Sequence, residues 1–342
     1  MTASQIGRGE FAVRVGIAVL IVALAFGLWR MHDILLLVFA GVLVGIILNA
    51  LAHRIERFSG LGHRMALAAA TLSLFGLIGA LFYFFGHEIA AQLGELGAKL
   101  PAAWDDLRRL ISASGYEAQV NAQLSRSVPS GGTIIAVLGN VVTGVSGAIS
   151  GLLLATLGGI YLAAQPGVYQ TGVLMLFPPE RADALNRAIG RTGYSLRAWL
   201  KGQLISMLFT ATAIMIGLAV IGVPTPVALG LIAGIAGFIP MIGPLIGAAV
   251  GILVALTIGG TVLWSTILLY LVVQQLAGSV IEPLIMQHTV KVPPALTLFG
   301  LLAVGALLGP IGVLLGGPIL VASYVLTREL YVKEALGRPL ED

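Results

Sequence analysis

Three polar side chains share a face near the end of an otherwise apolar run. Gln275, Ser279 and Glu282 follow a four-three spacing, with Gln274 beside them. Glu282 is the only acid between Asp183 and Glu329 and stands directly before Pro283. A carboxylate at membrane depth is costly, so it marks an ion or proton path or is held by a partner. The available cation is Lys291, across the Pro283 to Pro294 loop.

Two other stretches offer backbone chemistry. Residues 234–251 hold Pro240, Gly243 and Pro244, and residues 305–318 hold Gly309, Pro310 and Gly312. Proline lacks an amide donor and blocks helix continuation, and glycine permits a sharp turn, so carbonyls and amides are freed where the chain is most apolar. Lipid cannot satisfy such groups, and they must face protein or a wet cavity. Paired Gly/Pro-interrupted segments in the two halves of a transporter point to its binding site, so these residues are read as hairpin tips. The competing reading is helix packing, because Gly243-xxx-Gly247-xxx-Gly251, Gly305-xxx-Gly309 and Gly147-xxx-Gly151 are small-xxx-small patterns; for Gly147 and Gly151 packing is preferred.

Other chemistries lack their residues. His32, His53, His63, His87 and His288 are scattered without a His-Glu-x-x-His pattern, so no metal site is expected. The chain has no cysteine and no phosphate-binding loop. It has neither a Gly-x-Ser-x-Gly elbow nor paired intramembrane aspartates, since Asp33, Asp105, Asp106 and Asp183 fall in loops. No cofactor and no enzymatic activity are expected.

The elements that position these residues follow from composition. The 342 residues are 58% hydrophobic and only 10% charged, against about 25% charged in an ordinary soluble domain. Residues 127–179, 202–281 and 292–327 carry no Asp, Glu, Lys or Arg, and each block exceeds the ~20 residues that cross a bilayer as a helix. The expected fold is an all-α polytopic membrane protein. About six full transmembrane helices are expected near 14–30, 34–51, 65–86, 134–164, 203–222 and 262–281. Two re-entrant hairpins, at 225–258 and 294–327, complete the set. The run after Arg8 and Arg14 is read as the first membrane helix rather than a signal peptide, because no small-residue cleavage site follows it.

Arginine and lysine fix the orientation. Arg8, Arg14, Arg54, Arg57, Arg64, the cations from Arg181 to Lys201, and Arg328, Lys333 and Arg338 are assigned to the cytoplasm. Both termini are then cytoplasmic, in a bacterial inner membrane, and the net charge of +4 reads as a topology signal rather than a nucleic-acid surface. The domains are 1–86 with the first three spans, an extracytoplasmic helical insert at 87–133, the fourth span with a cytoplasmic amphipathic segment at 134–201, a transport region at 202–327 with two helix-plus-hairpin units, and a tail at 328–342. Residues 180–201 place Leu185, Ile189, Leu196, Trp199 and Leu200 on one side and Arg187, Arg191 and Arg197 around the other, which suits a helix lying in the membrane interface.

The chain resembles the autoinducer-2 exporter family, the PerM-like permeases, over nearly its whole length. The resemblance rests on Tyr194-Ser-Leu-Arg-Ala-Trp-Leu-Lys-Gly-Gln203, Phe238-Ile-Pro-Met-Ile-Gly-Pro244, the stretch Gln275 to Met286, and Leu308-Gly-Pro-Ile-Gly-Val-Leu-Leu-Gly-Gly-Pro318. It implies secondary transport of a small polar solute, the furanone signal autoinducer-2 or, in some members, sodium or lithium exchanged against protons. It also implies homo-oligomers, pentamers by the same resemblance. Two departures stand out: Gln275-Leu-Ala-Gly278 where relatives carry Gln-x-Glu-Gly, and Asn49-Ala50 where they carry Asn-Pro. Alternating access between the hairpins is the expected mechanism, with a proton-coupled antiporter and a non-transporting membrane scaffold as the other readings.

Overall fold

The computed structural model describes residues 29–77, 151–240, 242–281 and 292–337 continuously, with isolated positions between 13 and 27 and between 79 and 98. The described residues are helical apart from short connections. In chain order they form α1 (His32–Ser59), α2 (63–77), α3 (Gly151–Ala164), α4 (Pro166–Leu174), α5 (Pro179–Ile221), α6 (Pro226–Ala236), α7 (Ile242–Ile258), α8 (Gly260–Leu276) and α9 (Pro294–Leu326). π-Helical turns extend α8 over Ala277–Ile281 and α9 over Thr327–Ala335.

Apolar side chains point outward as well as inward. On α5, Ile214 and Leu218 are fully buried while Leu208 and Val220 are among the most exposed residues. A helix apolar all round belongs inside a bilayer, and α1, α5 and α8 are each long and apolar enough to cross one. The chain is an all-α polytopic membrane protein. Three of the expected spans, 34–51, 203–222 and 262–281, coincide with these helices; the segments 14–30, 65–86 and 134–164 fall partly outside the described residues.

Packing follows backbone proximity. Gly41 and Gly45 on α1 lie against Gly159 on α3, so close that a Cβ on Gly159 would sit 2.8 Å from the Gly41 carbonyl oxygen. Without a hydrophobic drive between helices in lipid, such small-residue contacts supply the van der Waals energy of association. Around them Leu48, Ala52, Ala66, Leu67, Ala70 and Ala163 join α1, α2 and α3. At Gln165-Pro166 the chain turns by 87° into α4, since proline cannot extend α3.

Helix α5 is the organising element. Its 43 residues run without a break, about 65 Å at 1.5 Å per residue, roughly twice the hydrocarbon thickness. The amphipathic segment 180–201 and the apolar segment 203–222 are therefore one helix, which corrects the expectation of a separate helix lying in the interface. The apolar stripe is real, but protein covers it: Leu196, Trp199 and Leu200 pack with Leu36 and Leu43 of α1 and with Leu315, Val321 and Val325 of α9. An amphipathic pattern does not say whether lipid or protein meets its apolar side. The other end of α5 joins a second core, in which Ile214 and Leu218 meet Leu229, Ala233, Val254, Tyr270 and Val273 of α6, α7 and α8.

Both Gly/Pro regions fold back on themselves. Helices α6 and α7 are antiparallel, with Gly247 against Ala233 and Gly243 against Ala236. The turn between them uses the Phe238 and Ile239 amides, donated to the carbonyls of Ile235 and Ala236 at 3.0 Å. Helix α9 is interrupted at Gly309, where φ is 67° and ψ is −158°, a conformation open essentially to glycine alone. Its two arms meet: Gly300 touches Leu320, Gly305 faces Val313, and Gly316 faces Leu301. In a continuous helix residues 300 and 320 would be about 30 Å apart. α9 is thus a hairpin.

Candidate functional site

The hairpins approach α5 from opposite ends and meet near its middle. Gly230 and Gly234 of α6 press on Ala211, Met215 and the Met207 carbonyl, which aligns α6 antiparallel to α5 with its tip toward the α5 N-terminus. The second arm of α9 is also antiparallel to α5. Gly317 lies against Trp199, and past the arm Glu329 and Glu334 pair with Arg191 (3.9 Å) and Arg187 (2.6 Å). The α9 tip therefore points toward the α5 C-terminus. Phe238, at the α6–α7 tip, and Leu308, at the α9 tip, pack on the same cluster around Trp199.

Trp199 and Gln203, one helical turn apart, make the junction. The Trp199 and Phe238 rings meet edge to face, with centroids 5.8 Å apart at 80°. The Gln203 side chain is buried and its Nε2 donates to the Gly237 carbonyl at 2.5 Å. Helix α6 ends there, and its last carbonyls have no intrahelical donor. Gln203 thus satisfies one of the backbone groups freed by the break. Gln203→Leu is expected to cost about 1–3 kcal/mol, because the carbonyl then stays unpaired in an apolar setting. A thermal unfolding midpoint in detergent equal to that of the unsubstituted chain would show that another donor replaces it.

The residues expected at the tips take different places in the two hairpins. In the second hairpin the Gly309-Pro310 pair is the turn itself: Pro310 opens the second arm, and Gly312, one turn on, lies against Leu308 and the Val304 carbonyl. In the first hairpin the turn is Gly237–Pro240, and Gly243-Pro244 lies beyond it in the first turn of α7. Proline is tolerated there because first-turn amides have no helical partner.

Gln274, Gln275 and Ser279 are elsewhere. Thr266, Tyr270, Val273 and Ala277 form the buried face of α8, and the three polar residues stand on the opposite, exposed face. The expected shared face of Gln275 and Ser279 is there, with Gln275 Nε2 donating to Ser279 Oγ at 2.7 Å. Glu282 and Lys291 lie outside the described residues, as does nearly all of the insert. Of that insert, Gln92 accepts a hydrogen bond from the Ala228 amide in the first turn of α6. This contact joins the insert to the base of the first hairpin.

A groove of about 350 Å³ opens at the α5 N-terminal end between Arg187, Arg191, Tyr194, Glu329 and Lys333. Glu329 is buried and balances Lys333 at 3.5 Å. This groove ties the end of α9 to α5 and does not reach Trp199.

No motif in the sequence marks Trp199 and Gln203 as site residues. A lone glutamine opening an uncharged block was the available signal, but nothing in the sequence says which carbonyl it reaches. Nor does a motif mark Gly41, Gly45 and Gly159; His53 and His63, scattered in the sequence, are brought together with Glu56 in the structure.

An apolar surface, one long central helix and two broken hairpins meeting on it define a helical membrane protein with backbone breaks at the hairpin tips. The sequence profile described as AI-2E family transporter matches residues 17–331, and the chain belongs to that family of membrane transporters. It is 28% identical over 272 residues to MT0215 of Mycobacterium tuberculosis, covering 76% of this chain and 73% of the relative. It is 24% identical over 312 residues to YhhT of Escherichia coli K12, covering 89% and 86%. Both relatives are provisionally named transport proteins. It is 25% identical over 296 residues to the AI-2 transport protein TqsA of Escherichia coli K12, covering 81% and 80%.

Proposed function

We propose that this protein is a secondary transporter that exports a small polar solute of the autoinducer-2 type by alternating access at the junction of its two hairpins. The observation that carries the reading is the meeting of two oppositely directed broken helices at Trp199 and Gln203, where the Gly237 carbonyl needs a side-chain donor. Helix breaks at membrane depth are tolerated where they face protein or a wet path, and two such breaks in opposed repeats bracket the substrate in secondary transporters. In this reading both hairpins are re-entrant and the termini lie in the cytoplasm of a bacterial inner membrane. The insert 87–133 is extracytoplasmic and braces the base of the first hairpin through Gln92.

Gln275, Ser279 and Glu282 line the remainder of the path. The face of α8 that carries Gln275 and Ser279 is exposed in a single chain, and polar groups at membrane depth need protein or water beside them. A second copy of the chain closes this face, in a homo-oligomer that the family resemblance makes a pentamer.

Reconstituted vesicles test the proposal. Efflux of the furanone solute is expected above that of empty vesicles, and Gln275→Leu is expected to slow it about fivefold, the rate equivalent of one hydrogen bond of about 1 kcal/mol. Absence of solute efflux from vesicles that hold folded protein would remove this cargo. Sodium-dependent proton flux in those vesicles would instead assign the path to cations.

A further inference from the structure

We propose that His53, Glu56 and His63 form a binding site for one divalent transition-metal ion of the zinc type, at the turn joining α1 to α2. The residues are brought together by a tight helix end. His53 and Glu56 are three apart and share a face of α1, and Gly60 closes that helix in the left-handed conformation, its amide donating to the Glu56 carbonyl at 2.9 Å. The chain then re-enters a helix at His63. One ligand atom from each side chain lies within 4.8 Å of the other two.

Both imidazoles are held as metal-bound imidazoles are held. A carbonyl oxygen only accepts, so the ring nitrogen beside it carries the proton. His53 Nδ1 donates to the Asn49 carbonyl at 2.7 Å, which leaves Nε2 with a free lone pair. His63 Nε2 donates to the Ala163 carbonyl at 3.1 Å, which leaves Nδ1 toward Glu56 Oε1, 2.6 Å away. A histidine ligand usually gives its second N–H to such a carbonyl, which fixes its tautomer and its aim. The His53 and His63 rings are 5.6 Å apart, and His53 is exposed, so an ion reaches the site from solvent.

The donor set selects the ion class. Two imidazoles and one carboxylate suit Zn2+ and its neighbours, whereas Ca2+ and Mg2+ take oxygen ligands. Arg54, Arg57 and Arg64 are close in sequence, and so much positive charge disfavours an ion held by electrostatics alone. Arg54 is turned away over the Phe58 ring, 6.0 Å from its centroid. Three protein ligands leave one position for water, and the ion would pin α1 to α2 and, through His63, to the end of α3.

The test uses the full chain in detergent, purified with a histidine-free tag and stripped by chelator. Co2+ is the spectroscopic probe and Zn2+ the competitor. One Co2+ per chain is expected, with visible absorption bands displaced by Zn2+. His53→Ala and Glu56→Gln are expected to weaken binding at least about tenfold. His32→Ala, which lies outside the cluster, leaves it unchanged. Zn2+ is also expected to raise the thermal midpoint of the unsubstituted chain and not that of His53→Ala, a variant that removes only an exposed side chain. Equal Co2+ affinity and stoichiometry in the unsubstituted chain and His53→Ala would overturn the proposal, as would no binding to either.

Discussion

Replacing Gly243 by alanine is expected to lower stability by about 3 kcal/mol, the upper end of the range for overpacking, and to abolish solute flux. A Cβ at this position would overlap the carbonyl carbon and oxygen of Ala236 and lie 2.9 Å from the Gly237 amide nitrogen. Those atoms have nowhere to go. The Ala236 carbonyl accepts from the Ile239 amide at 3.0 Å and helps build the turn at the hairpin tip. Relief would come only from opening the α6–α7 tip, which would break the Gln203 bond to Gly237 and the Phe238 contact with Trp199. The check is unfolding of the purified variant in detergent, beside Gly172→Ala as a control for glycine replacement inside a helix with free space around it. A Gly243→Ala variant as stable as the unsubstituted chain would mean that the tip is looser than its contacts imply.

Trp199→Ala is expected to cost about 3 kcal/mol. Large-to-small changes of tryptophan in soluble cores cost about 3–5 kcal/mol, but lipid tails are as apolar as a protein interior, so the transfer part of that figure shrinks and lost packing dominates. Trp199 is 7% exposed and bridges both hairpins, touching Phe238 at one tip and filling the space left open by Gly317 on the other arm. Its removal detaches the hairpins from each other as well as from α5. Trp199→Phe should recover part of the loss because it keeps an aromatic edge for Phe238. A cost below about 1 kcal/mol for Trp199→Ala would remove Trp199 as the hinge of the junction.

The breaks were legible because proline and glycine act locally. A missing amide at Pro310 and a positive φ at Gly309 are properties of two adjacent residues, and the turn falls where they stand. The same reasoning placed Gly243 and Pro244 at a tip. There the structure sets the turn a few residues earlier, because the Phe238 and Ile239 amides find carbonyl partners before the chain reaches Gly243. The stripe Leu185, Leu196, Trp199 and Leu200 was legible as a stripe, yet what covers it depends on α1 and the second arm of α9, distant in the chain. His53, Glu56 and His63 matched no motif, because their spacing is set by the turn at Gly60 rather than by one helix.

The sequence by itself determined membrane residence, helical class and the break at Gly309-Pro310. Long uncharged blocks have no stable form in water, and backbone breaks follow from single residues. The tertiary structure alone decided that α9 doubles back, that both hairpins converge on one turn of α5, and that Gln203 satisfies Gly237 while Gln275 and Ser279 face outward. Those outcomes depend on close approaches between glycines and large side chains far apart in the chain, such as Gly317 with Trp199 and Gly159 with Gly41. Hydropathy treats every apolar residue alike, so only packing could choose among them.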